Sequence, residues 1–158
     1  MPTTMQSLRK ASAPFVIRHG VPDDIPEILE LDRQASGQDK PAYWGSLFAT
    51  GRCEEPQVTL VAERDGRVVG FTVGTIRAWE FGSEPCGWIF AVAVRPESRE
   101  DGIATSLFEA MCSHFRRAGV KTLRTMIHRD EHLLLAFFRS QGMMAGPFIQ
   151  LEKSLEDE

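Results

Sequence analysis

Residues 88–94 read Trp-Ile-Phe-Ala-Val-Ala-Val, a run with no polar side chain. Such a run has to be covered on both faces, so it predicts a central strand. It stops at Arg95-Pro96, since proline cannot donate to a ladder. A polar stretch, residues 97–101, then enters a helix through Gly102. In that helix Ile103, Leu107, Ala110, Met111, Phe115 and Ala118 recur at helical spacing. Arg116 and Arg117 suit its negative end, and Gly119 is placed to stop it. A covered strand feeding an amphipathic helix calls for an α/β fold.

The rest of the chain fits a mixed sheet flanked by helices in a single domain. Residues 15–18 and 58–62 read as strands. Asp65-Gly66 is a hairpin turn signal, with residues 68–76 as the returning strand. Ile25, Ile28, Leu29 and Leu31 give one apolar side to a first helix, with Asp24 as its cap and Glu27 completing a capping-box-like pair. A second helical stretch covers residues 41–49. Later come a strand at 123–127, a helix from Asp130 or Glu131 to Gln141 with Gly142 as its stop, and a closing strand at 148–155. Residues 1–14 read as a mobile tail, leaving 15–155 as the domain.

A chain of 158 residues can bury a core without a metal or disulfide. The net charge of -4 argues against a nucleic-acid backbone as partner and leaves room for a cationic substrate. Cys53, Cys86 and Cys112 are odd in number and widely spaced, the usage of a cytoplasmic protein with reduced thiols. Neither a signal peptide nor a membrane span is expected.

The loop at residues 97–105 carries the chemistry. The first turn of a helix presents backbone N–H groups at the positive end of its dipole, a natural seat for a diphosphate. Gly102 lets phosphate oxygens approach, and Ala104 keeps the next inward position small.

Arg99-Glu100-Asp101-Gly102-Ile103-Ala104 matches [Q/R]-x-x-G-x-[G/A], preceded by Ala93-Val94-Arg95-Pro96 and followed by Leu107-Phe108. In this the chain resembles the GNAT superfamily of N-acetyltransferases. Residues 17–31 look like that family's first strand and helix, and residues 133–143 like its last helix, so the resemblance runs from about residue 16 to 155. It implies a transferase that takes acetyl-CoA as acyl donor and an amine as acceptor, with direct attack in a ternary complex and no metal. Backbone groups of Val92, Ala93 and Val94 would hold the thioester and pantetheine arm. N–H groups of Glu100, Asp101, Gly102, Ile103, Ala104 and Thr105, with Arg99, would cradle the diphosphate. Phe138 stands in the cofactor site where relatives often carry a tyrosine acid. A homodimer fits the family's habits.

The pattern departs from the family in places. Phe138 has no proton to donate. The 88–91 region carries no carboxylate, so Glu84, His128 and Glu131 are the candidate catalytic groups, with Glu80 beside them. Glu100 and Asp101 put two acids beside the diphosphate, with Arg99 and Arg95 available to offset them. These departures support a second reading, an acyl-CoA-binding module that has lost turnover, and a third, an interaction protein that keeps only the fold.

His128 and His132 stand four apart, but Arg129 follows the first, so the H-E-x-x-H zinc pattern is absent. His114, Arg116, Arg117 and Lys121 form a basic cluster that complements a helix end and lies within reach of reading as a 3′-phosphate contact. Tyr43, Trp44, Phe48, Trp79 and Phe81 read either as an aromatic acceptor wall, able to hold a cation, or as core. Ala91, Ala93 and Gly74 either leave room for a longer acyl chain or simply pack.

Overall fold

The structure, a computed structural model, describes residues 14–38, 40–48, 57–78 and 80–156. Cys53, Trp79, Asp157, Glu158 and all of the expected tail except Pro14 lie outside them, as do the side chains of Phe48 and Glu80. The chain forms two compact units, Met1–Met126 and Ile127–Glu158.

The first unit holds a five-stranded sheet in the order β1-β2-β3-β4-β5. These are β1 (Val16–His19), β2 (Gln57–Arg64), β3 (Arg67–Arg77), β4 (Cys86–Val94) and β5 (Leu123–Thr125). The first four pair antiparallel, and β4 with β5 is parallel, which makes the sheet mixed as expected. The β2–β3 hairpin turns on Asp65 and Gly66, both in the left-handed region at φ 52° and 74°.

Helices cover both faces. On one, α1 (Ile25–Ser36) and α2 (Pro41–Phe48) build a core of Ile28, Leu31, Trp44, Val61, Phe71 and Val73, with Ala91 and Ala93 against it. Trp44 is therefore core: it is 1% exposed, packs edge-to-face on Phe71 at 5.3 Å, and its indole N–H donates to Asp32 Oδ2 at 3.1 Å. Ala91 and Ala93 are packing residues for the same reason. Tyr43 and Phe81 are exposed.

The start of α1 differs from the capping-box expectation. Asp24 makes no cap to α1; its Oδ2 accepts the Val21 N–H at 2.8 Å. Arg18 grips the same carboxylate with both terminal nitrogens, at 2.8 and 2.9 Å, and holds its pKa below the ordinary value. Glu27 points away from the cap, because the β3 backbone and Arg95 offer it stronger partners, described below.

On the other face lies α3 (Ile103–Arg117), burying Ile103, Leu107, Phe108, Met111 and Phe115. It ends as Gly119 predicted: Gly119 N–H donates to Arg116 O and Val120 N–H to Phe115 O, each at 3.0 Å. The basic side chains His114, Arg116 and Arg117 sit in this last turn. His114 meets the His19 ring edge-on, and burial pushes its pKa down.

Gly74 lies beneath α3. A Cβ there would stand 2.9 Å from Phe115 Cζ and 2.9 Å from the Trp88 carbonyl oxygen. The space beside Gly74 is thus filled by the helix. Overpacking such a site costs about 1–3 kcal/mol. Gly74→Ala should lower the unfolding midpoint by roughly 2–4 °C per kcal/mol, and an unchanged midpoint in a thermal melt would contradict the close packing.

The second unit contains α4 (His132–Ser140), stopped at Gly142, whose N–H donates to Arg139 O at 3.0 Å while Met143 N–H donates to Phe138 O at 3.0 Å. Residues 148–155 are not the expected strand. Ile149, Leu151 and Leu155 are 84%, 86% and 88% exposed, and no ladder includes the segment. Its apolar residues suit a strand, but they supply no partner, and a strand exists only through pairing. No helix among the described residues is long and apolar enough to cross a membrane.

Candidate active site

Parallel pairing between β4 and β5 is brief: Gly87, Trp88 and Ile89 face Leu123, Arg124 and Thr125, and there it ends. On its other edge β4 stays paired with β3 as far as Val94. The register steps from Gly74↔Ile89 to Val73↔Ala91, which leaves Phe90 as an extra residue. Such a bulge bends its strand and increases the local twist. Past Ile89 no described strand pairs with β4 on the β5 side. The edge from Phe90 to Val94, which includes Val92 and Ala93, keeps backbone groups outside any ladder.

Two threonines fix this divergence. Thr125 Oγ1 donates to Ile89 O at 2.7 Å where the strands part, and Thr72 Oγ1 donates to Ala91 O at 2.9 Å just beyond the bulge. A run of apolar letters gives no sign of the bulge, and the two threonines carry no spacing signal that would have singled them out.

Beyond Val94 the chain is clamped by Arg95, which is 3% exposed. Its N–H donates to Val69 O at 2.8 Å and its Nε to Val68 O at 2.9 Å. Its charge meets Glu27 Oε2 at 3.4 Å and Glu30 Oε1 at 3.6 Å. Glu27 Oε2 also accepts the Val68 N–H at 2.9 Å. Arg95 is thus committed to α1 and β3, and it does not offset the acids of the loop. Arg64 does so for Asp101, Nη1 to Oδ2 at 2.8 Å, and the same nitrogen reaches the Ser98 hydroxyl at 3.4 Å.

The loop itself is a tight helical turn, Pro96–Asp101, ending at Gly102 with φ 76°. Arg99 and Glu100 are exposed, and Arg99 Nε donates to Val94 O at 3.4 Å. The α3 ladder begins where Ser106 N–H donates to Gly102 O at 3.0 Å, so the N–H groups of Ile103 and Ala104 lie ahead of it. Ile103 is buried; Ala104 and Thr105 are half-buried. A Cβ at Gly102 would meet nothing within 4 Å. The turn therefore needs glycine for its backbone angle and has open space in front of it. Such space, at the positive end of a 15-residue helix, fits an anionic group.

Among the remaining candidates, Glu84 lies exposed on the segment leading into β4, where its carbonyl accepts the Ser83 hydroxyl at 3.2 Å. The other three belong to the second unit. His128 is exposed; its Nδ1 accepts the Asp130 N–H at 3.1 Å and lies 3.6 Å from the Asp130 carboxylate. Glu131 precedes α4 without a side-chain cap. Phe138 is buried, with its ring 5.2 Å from that of Phe137. No cluster of three or more potential metal ligands occurs among the described residues.

Comparison with known proteins gives this geometry a context. The family model described as the acetyltransferase (GNAT) family matches residues 25–143. The L-2,4-diaminobutyric acid acetyltransferase of Nocardia farcinica is 34% identical over 124 residues, covering 78% of this chain and 61% of that protein. An uncharacterized N-acetyltransferase of Methanocaldococcus jannaschii is 32% identical, covering 64% of this chain and 59% of its own length. The chain thus spans about three fifths of these curated relatives. The solved structure of aminoglycoside N-acetyltransferase AAC(6')-Iy in complex with CoA superposes with a TM-score of 0.79 at 16% identity, over 94% of this chain and 99% of that one. That likeness shows the fold.

Proposed function

We propose that this chain, which belongs to the acetyltransferase (GNAT) family, is an acyltransferase that moves the acetyl group of acetyl-CoA onto an amine. The observation that carries the reading is the parting of β4 from β5 at Ile89, with the Phe90 bulge and the Gly102 turn following on the same strand.

In this reading the free edge of Val92, Ala93 and Val94 aligns the pantetheine arm by backbone hydrogen bonds. The turn from Glu100 to Thr105, with Arg99, receives the diphosphate. Acetyl-CoA supplies an activated acyl carbon. The amine nitrogen attacks it directly in a ternary complex; the C–N bond forms, the C–S bond breaks, and the thiolate leaves. Positioning and backbone N–H groups do most of the work. Glu84, His128 and Glu131 are the groups proposed to take the ammonium proton. Phe138 has no proton to donate, so the thiolate is proposed to leave without an acid; a thiol pKa of about 8.5 makes this workable. The free thiols Cys86 and Cys112 accord with a cytoplasmic setting. Relatives named for diaminobutyric acid support a small amine as acceptor.

Thiol release from acetyl-CoA, measured against a panel of amino acids, diamines and aminoglycosides, tests the reading. We expect release that depends on at least one amine. Release with none of them, in a protein that acetyl-CoA still stabilises against heat, would favour the binding-module reading.

A further inference from the structure

Two buried polar side-chain atoms on adjacent strands, Thr75 Oγ1 and Trp88 Nε1, have no hydrogen-bond partner among the described residues. Thr75 is 6% exposed. The two residues are direct cross-strand partners, so their side chains leave the sheet on the same face, with Cβ atoms about 5 Å apart. That face is opposite α3, since Gly74, the neighbour of Thr75, points to Phe115 and Met111. Thr75 is one same-face step beyond Val73, where the α1–α2 core ends. Trp88 is one residue before Ile89, where β4 and β5 part.

Buried polar atoms in a folded protein normally have partners, and an orphan needs an explanation. The sign of the missing partner is fixed by chemistry. An indole N–H can only donate, and a hydroxyl can donate as well, so each is satisfied by an acceptor oxygen, and a carboxylate carries two. Two cationic side chains lie beside the pair: the Arg77 guanidinium is 5.0 Å from the Trp88 ring, and Arg124 is the β5 residue in register with Trp88. Arg124 itself reaches Ser83 Oγ at 3.0 Å and Cys86 Sγ at 3.5 Å, which holds its charge at this end of the sheet.

We propose that Thr75 and Trp88 form a subsite for the carboxylate of the acceptor, so that the amine acetylated belongs to an amino acid. This rests on the acetyltransferase reading for the identity of the ligand. It adds a substrate class and two specificity residues that were absent from the sequence-based candidates. In the sequence Trp88 shows only as part of an apolar strand, and Thr75 only as part of the neighbouring strand.

The test is a calorimetric titration of the full chain with coenzyme A present. The probes are L-2,4-diaminobutyrate and 1,3-diaminopropane, which carry the same two amines with and without the carboxylate. The diamino acid should bind at least tenfold more tightly. Trp88→Phe, which removes the N–H and keeps a ring, should erase most of that preference, and so should Thr75→Val. Without ligand, both variants should remain folded in a thermal melt, so that a lost preference is not a lost fold. Equal binding of the two probes, including none of either, overturns the subsite, as does a preference that survives both substitutions. Thiol release with the same two amines decides the acetyltransferase reading separately. Turnover without discrimination keeps the enzyme and rejects the subsite, while discrimination without turnover does the reverse.

Discussion

Replacing Glu27 by alanine should cost the fold about 1–3 kcal/mol: Arg95 is buried, but Glu27 is 34% exposed, so the loss stays below that of breaking a fully buried ion pair. The argument starts from Arg95, whose side chain is 3% exposed and permanently charged. Moving such a charge out of water is expensive unless partners remain. Glu27 is the nearer of its two carboxylates, at 3.4 Å against 3.6 Å for Glu30, and it also accepts the Val68 N–H. Alanine removes all of this at once. The remaining Glu30, 42% exposed, keeps the loss from reaching the upper end of the range. For a chain of this size the midpoint should fall by roughly 2–4 °C per kcal/mol. Glu27→Gln separates the two contributions, because an amide oxygen can still accept from Val68 while the charge is gone. It should fall between parent and alanine variant in a thermal melt. Equal midpoints for parent and alanine variant would show that Glu30 and the Val68 carbonyl are enough to hold the Arg95 charge.

The same residue shows how far the sequence could be read. Glu27 stands three positions after Asp24, as a capping box demands, yet a local pattern cannot see Arg95, 68 positions away, which claims its carboxylate. The strand at residues 88–94, the helix that follows and its stop at Gly119 were legible, because apolar periodicity and a glycine stop are local signals. The bulge at Phe90 was not, since one more apolar residue in an apolar run changes no pattern; only the register with Val73 and Gly74 exposes it. Trp44 illustrates a third case. Its letter fits a pocket wall or a core equally well, and its contacts with Asp32 and Phe71 decide for the core. The segment at 148–155 has apolar residues enough for a strand and lacks a partner. The site divides along the same line: the loop from Arg99 to Thr105 could be named from its motif, whereas Arg64, which offsets Asp101, lies 37 residues from it in sequence and was found only in three dimensions.

A bulky residue at Gly102 should abolish stabilisation by acetyl-CoA while leaving the protein folded. At φ 76° a residue with a Cβ is strained by about 1–2 kcal/mol, and the protein places nothing within 4 Å of that Cβ, so no clash adds to the strain. Gly102→Trp should therefore melt only a few degrees below the parent, while filling the space in front of the α3 N-terminus. Acetyl-CoA at about 100 times its Kd stabilises a native state by roughly 2.7 kcal/mol, a shift of several degrees for a domain of this size. The parent should show that shift and Gly102→Trp should not. Gly102→Asn serves as the control, because asparagine tolerates the left-handed region better than most residues and is small; it should keep part of the shift. A tryptophan variant that is folded and still stabilised as much as the parent would move the diphosphate away from this turn. A parent that does not respond to millimolar acetyl-CoA would leave the family fold without its donor. Loss in the tryptophan variant with partial retention in the asparagine variant would tie the donor to the open space at Gly102, and backbone strain alone would not reproduce that order.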